Sequence, residues 1–149
     1  MSRFLVDTSY IVAQLASWSP HHDSVTSQLD LRLSGGESMV VAAHSVAETY
    51  SVLSRLPAPH RLSPRDAAHA VKQVLVLASD VIALDGGEYV DLVTNRAPAL
   101  GVAGGRLYDF LIHACAVKSS AHFLLTLNRR HFEGFPGSVQ VVGLGQSEA

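Results

Sequence analysis

Apolar residues come along this chain in short blocks, and the polar or glycine-rich break after each block constrains what the next one can be. Phe4, Leu5 and Val6 run unbroken up to Asp7. Thr8 and Ser9 then lead into Tyr10, Ile11, Ala13 and Leu15 at helical spacing, which predicts strand, turn and helix. SWSPHHDS breaks that helix, and Asp23 or Ser24 is expected to cap the next, which carries Val25, Leu29 and Leu33. GGE announces a second strand, MVVAA. In HSVAETYSVLSR, Val46, Ala47, Tyr50 and Leu53 recur at helical spacing, so this face is expected to be buried, with Glu48 off it. Ser63, Pro64 and Asp66 make a strong helix start: a cap, a residue with φ already set, and a carboxylate at the positive end of the dipole. That helix carries Ala67, Ala70, Val71, Val74 and Leu77.

DVIALD reads as a third strand, apolar on both faces as in the centre of a parallel sheet, with a helix from Glu88 to Ala97 behind it. LGVAGGRLYD supplies a glycine loop, and Phe110, Leu111, Ala114 and Val117 set the apolar face of another helix, with Asp109 in its first turn. HFLLTL is a fourth strand, followed by the loop NRRHFEGFPG, and VQVVGL is a last short one. Strand and helix alternate. This predicts an α/β fold in a single domain, a parallel sheet of four to five strands flanked by helices on both faces. The domain is expected to span residues 1–143, with residues 144–149 as a frayed tail.

Composition narrows the class. With 149 residues, 48% hydrophobic and 16% charged, the chain has enough apolar matter for one core and too much for a disordered protein. No apolar run reaches the roughly 18 residues of a spanning helix, and MSRFLVDTS lacks the apolar core and small-residue cleavage site of a secretory signal. The one cysteine, Cys115, lies inside an apolar helix pattern. A cytoplasmic protein without disulfide or membrane contact is expected. The net charge of -2 argues against a protein that coats nucleic acid through charge alone, although Arg129 and Arg130 form one local basic pair.

Three carboxylates interrupt apolar, fold-forming stretches: Asp7, Glu48 and Asp109. A charge placed there costs several kcal/mol unless it gains a partner, and a divalent cation is a partner that several carboxylates can share. In an open parallel sheet, ligands bind beyond the carboxyl ends of the strands. Asp7 is placed on that rim by its strand, Asp109 by a helix start, Thr126 and Asn128 by the end of the fourth strand, and Glu48 by the helix after the second. Hard oxygen donors of this kind suit Mg2+ or Mn2+. Singly, Asp7 also reads as a helix cap, Asp109 as a dipole aspartate and Glu48 as a solvated helix residue. Their joint placement on one rim favours a site.

Set side by side, a strand ending in D-T-S, an S-x-x-E helix, a G-G-x-x-x-D helix start and a late L-x-T-x-N-x-x-x-F segment resemble the PIN-domain ribonucleases. Size and spacing look most like the toxin subunit of bacterial VapBC toxin–antitoxin pairs, and the match runs from Phe4 to Val142. The resemblance implies that Asp7, Glu48 and Asp109 form an acidic triad holding one or two Mg2+ or Mn2+ ions, with Thr8 helping to orient the site. It implies a metal-dependent endoribonuclease that is held inactive by a VapB-like antitoxin and forms a homodimer. Where the family often has a fourth acid, this chain has Asn128, an uncharged candidate ligand. Arg129 and Arg130, with Arg106 in the glycine loop, are candidates for holding RNA phosphates.

Other features carry less. His21, His22 and Asp23 lack the spacing of a transition-metal site, while His44 and His113 each lie one turn from a carboxylate and read as satisfied helix histidines more readily than as its support. Trp18 and Tyr89 are single aromatics without a stacking series, so an RNA-binding platform of the stacking kind is not expected, and Trp18 reads equally as core or as an anchor for a partner. The segments Leu29 to Leu33 and Val71 to Leu77 offer apolar surface for a partner or for the sheet. A catalytically inactive, PIN-like binding module is the alternative function. Aspartyl-phosphate phosphatases need a second aspartate where Ser9 stands, and a receiver domain needs a paired acid beside Asp7 and a phosphorylatable one at a later strand end, for which DVIALD offers Asp85 only weakly.

Overall fold

The computed structural model describes residues 2–145; residues 146–149, most of the expected tail, lie outside the described residues. Five parallel strands, β1 (Arg3–Val6), β2 (Ser38–Ala42), β3 (Ala78–Ile82), β4 (Phe123–Leu125) and β5 (Gln140–Val142), form one sheet in the order β3-β2-β1-β4-β5. The helices are α1 (Thr8–Leu15), α2 (His22–Ser34), α3 (Ala43–Arg55), α4 (Pro64–Leu77), α5 (Gly86–Asp91), α6 (Ala97–Leu100) and α7 (Arg106–Lys118). A π-turn over Leu92–Arg96 joins α5 to α6, so the helix expected from Glu88 to Ala97 is part of a longer helical segment.

β1 is central, with Phe4, Leu5 and Val6 all within 1% of full burial, which is why its apolar run has no alternation. Its side chains divide the core. Phe4 and Val6 point with Met39, Val41 and Leu125 to a layer closed by Tyr10, Ile11, Val25, Leu29 and Val74. Leu5 points with Val40, Ala42 and Leu124 to the other face, closed by Ile112, Cys115, Ala116 and Phe132. Helices therefore cover both faces, as the sequence predicts. Among the described residues no helix is long and apolar enough to cross a membrane.

Several local expectations fail for identifiable reasons. DVIALD is not central: β3 pairs only with β2, at the sheet edge, and Ser79, Asp80 and Val81 are exposed. The buried face of α3 is Ser45, Thr49 and Leu53, while Ala47 and Tyr50 are exposed. Of the two inward polar groups, Ser45 is satisfied by the Thr8 hydroxyl, which donates to its Oγ at 3.1 Å across the α1–α3 contact, while the Thr49 hydroxyl is buried without a partner among the described residues. Helix α2 starts at His22 with no side-chain cap, leaving Asp23 inside its first turn. In α7 every residue from Phe110 to Ala116 is buried and Val117 is not, because the helix packs against the sheet on one side and against Leu92 and Ala97 on the other. The start of α4 is as predicted: Ser63 Oγ accepts the Asp66 N–H at 3.1 Å, with Pro64 in the first turn. Leu29, Val71 and Val74 belong to the core, but Leu31 and Val76 of the same segments are exposed.

Candidate active site

β1 sends the chain out to β2 on one side and has β4 on the other, so the strand order reverses between β1 and β4. That is where an open α/β sheet offers a crevice at its carboxyl edge. Asp7 stands at this point. Its N–H donates to Leu125 O at 3.0 Å, continuing the sheet by one bond, and its side chain caps α1 by accepting the Tyr10 N–H at 3.0 Å. The same oxygen accepts from Ser9 Oγ at 2.7 Å, and the other oxygen accepts from Thr126 Oγ1 at 2.5 Å. Ser9 Oγ in turn accepts the Leu127 N–H, and Thr126 Oγ1 the Asn128 N–H. Cap and candidate ligand are thus one carboxyl group, and the two readings of Asp7 are not alternatives.

Asp7 is 4% exposed. Burial pushes its carboxyl from 3.8 up to about 6; the Ser9, Thr126 and Tyr10 hydrogen bonds pull it back, and the charge of Asp109 adds to the rise. Asp109, in the first turn of α7, is also raised, first by burial and then by the neighbouring Glu48 charge, against the opposing charges of His131, Arg106 and His44. His131 Nδ1 lies 3.5 Å from Asp109 Oδ2. Glu48 projects from the exposed side of α3, with His44 Nε2 at 3.4 Å from its Oε2, and the His44 ring stacks on Tyr108 with centroids 5.0 Å apart. His44 thus lies beside Glu48, within ion-pair distance. His113 does not support Asp109: it is buried against Phe135, and burial pushes its pKa down to about 4.

Asp7, Thr8, Ser9, Glu48, Asp109 and Asn128 line one cleft of about 350 Å³, whose wall continues through Val12, Ala13, Ala16 and Val52 to Trp18. Arg129 and Arg130 follow Asn128 in a 3-10 turn over Arg129–Phe132, and both are exposed. Arg106 is engaged: its guanidinium donates to His131 O and Glu133 O and lies over the Phe135 ring, tying the glycine loop to that turn. Sequence reasoning missed Ser9 and His131. Ser9 was visible only as the last residue of D-T-S, and His131 only as one of eight histidines.

The donor set suits a hard cation. It consists of carboxylate and amide oxygens, and the raised Asp7 and Asp109 carboxyls owe their shift first to burial, with a smaller contribution from a neighbouring acid in each case. No group of three acidic, histidine or cysteine side chains among the described residues is close enough to form a ready-made cage. Mg2+ needs none, because it keeps several waters and takes one or two protein carboxylates.

Comparison with known proteins gives concordant results. The family model described as "PIN domain" matches residues 4–136. Ribonuclease VapC40 of Mycobacterium tuberculosis is 36% identical over 129 residues, covering 87% of this chain and 89% of that one. Ribonuclease VapC27 of the same organism is 30% identical over 116 residues, covering 78% of each. Among solved structures, VapBC2 from Rickettsia felis, bound to a promoter DNA fragment, superimposes with a TM-score of 0.69 at 18% identity, over 95% of this chain and 98% of that one. At that identity the likeness concerns the fold.

Proposed function

This chain belongs to the PIN-domain family, and on that premise we propose that it is an Mg2+- or Mn2+-dependent endoribonuclease, the toxin of a toxin–antitoxin pair. The observation that carries the proposal is the cleft at the strand-order reversal, where Asp7, Glu48 and Asp109 come together and the Asp7 and Asp109 carboxyls are held high in part by neighbouring negative charge. Its kinship with proteins named as ribonucleases makes RNA the substrate class.

Asp7, Glu48 and Asp109 would hold the metal, with the Asn128 amide oxygen as a weaker, uncharged donor. A bound divalent ion supplies Lewis-acid polarisation of the phosphodiester and a water made acidic enough to attack it. The remaining work falls to the chain itself. Ser9 and Thr126 fix the Asp7 carboxyl by their hydroxyl donors, so it presents the one lone pair left on Oδ2 in one orientation. Thr8 ties α1 to α3 and so sets Glu48 relative to Asp7. Asp109 or Glu48, both less buried than Asp7, would orient a water, with His131 and His44 as their respective neighbours. Arg129 and Arg130 reach flanking phosphates from the adjacent turn, and Arg106 contributes by holding that turn in place.

The solved relatives named VapBC are complexes, and a VapB-like antitoxin is the proposed inhibitor here, acting on a cytoplasmic homodimer. The test is cleavage of total RNA by the purified, partner-free protein with Mg2+ or Mn2+ and with EDTA, beside Asp109→Asn. Metal-dependent cuts that disappear in the variant support the proposal. A folded protein that cuts in neither metal supports instead a binding module that has lost catalysis with its fourth acid, at Asn128.

A further inference from the structure

We propose that Trp18, stacked on His60, forms a subsite in which a base of single-stranded RNA stacks, at the end of the cleft away from the carboxylates. The identity of the ligand rests on the nuclease reading above. The rings come from separate segments, Trp18 from the turn after α1 and His60 from the connection between α3 and α4. Their centroids are 4.1 Å apart and their planes 22° from parallel. His60 therefore covers one face of the indole and holds it in one orientation, which lowers the ordering cost of adding a third ring. Even so, Trp18 remains 48% exposed. An exposed tryptophan is more telling than an exposed leucine, because so much apolar area is left in water.

The position gives that exposed ring its use. Trp18 lines the same cleft as Asp7, Glu48 and Asp109. The eight residues of α1 separate them, a rise of about 12 Å at 1.5 Å per residue. A strand whose phosphate sits at the acids can therefore bring the base of a nearby nucleotide onto the indole. Between the two ends the wall is Val12, Ala13, Ala16 and Val52, with no cation, which suits bases and not phosphates. Stacking also supplies affinity that an acidic cleft lacks towards a polyanion. Base–aromatic stacking tolerates any sequence, because every base has a π face.

Trp18 is the chain's only tryptophan, so its emission reports on this subsite alone. The experiment titrates the Asp109→Asn protein, in Mg2+, with a short unstructured RNA of mixed sequence. In parallel, the wild type, Trp18→Ala and Trp18→Phe are compared in cleavage of the same RNA. Expected results are quenching of the indole, lost when an abasic nucleotide occupies one particular position, and a KM about 10-fold higher for Trp18→Ala at unchanged kcat, largely restored in Trp18→Phe. Cleavage by the wild type without quenching, or with equal KM in Trp18→Ala, overturns the subsite and leaves the nuclease reading standing. Quenching without cleavage by the wild type supports the subsite and overturns the nuclease reading. Quenching by an antitoxin peptide but not by RNA overturns the proposal and assigns the rings to a protein partner.

Discussion

Asp7 illustrates how one residue serves fold and chemistry together, and how the two demands oppose each other. The carboxyl that caps α1 is buried, and its proton is held up to about 6 instead of 3.8. A pKa raised in the folded state means that the folded protein binds the proton more tightly than the unfolded chain does. The resulting stabilisation is full below pH ~4 and is lost as pH rises through about 6, on the order of 3 kcal/mol in all. Denaturant unfolding of the metal-free protein should show stability falling across this window, and Asp7→Asn should flatten the fall. At limiting metal, RNA cleavage should decline as pH drops towards 6, because the proton and the metal compete for the same group. Asp109 is less buried and contributes no cap, so Asp109→Asn should leave the fold intact while lowering kcat by roughly 100-fold or more. Single-turnover cleavage beside a circular dichroism spectrum checks both halves of that statement.

At the scale of elements, the ends of helices decide more than their middles. Helix α4 is nucleated by Ser63, Pro64 and Asp66, none of which lines the cleft. Ser63→Ala leaves the Asp66 N–H without its acceptor and should cost about 1 kcal/mol in urea unfolding, with kcat unchanged. Helix α3 shows the opposite case. Its sequence pattern points to Val46, Ala47, Tyr50 and Leu53, yet Ser45 and Thr49 face inward, and of the two only Ser45 meets a hydroxyl partner among the described residues, Thr8 of α1. That rotation is what turns Glu48 towards the cleft. An element's hydrophobic period gives its type, but a polar contact from a neighbour chose its face.

Across the whole molecule, the sheet separates a stabilising edge from a reactive one. At the amino ends of β1 and β4, buried Arg32 pairs with Glu37 at 3.1 Å and lies over the rings of Phe4 and Phe123. Arg32→Ala removes the pair and the packing together and should cost about 3 kcal/mol without changing kcat, as thermal unfolding and cleavage assays would show. At the carboxyl ends, the acids repel one another. Mg2+ or Mn2+ at about 100 times its Kd should therefore raise Tm by the equivalent of ~2.7 kcal/mol, and Asp109→Asn should remove most of that gain.

The sequence by itself determined what depends on neighbours along the chain. The alternation of strand and helix, the cap at Ser63, the place of Asp7 after the first strand and of Asp109 in a first helical turn all follow from local spacing and backbone preference, and the structure has them where they were expected. It also held the family pattern, whose matched span covers residues 4–136. Tertiary structure decided what depends on residues far apart. The edge position of β3, the inward turn of Ser45 and Thr49, the Thr126 bond to Asp7 and the Leu127 bond to Ser9, the pairing of His131 with Asp109 and the stack of Trp18 on His60 each join segments that local spacing leaves independent. Periodicity records which face of an element avoids water, and only packing assigns the partner that it meets.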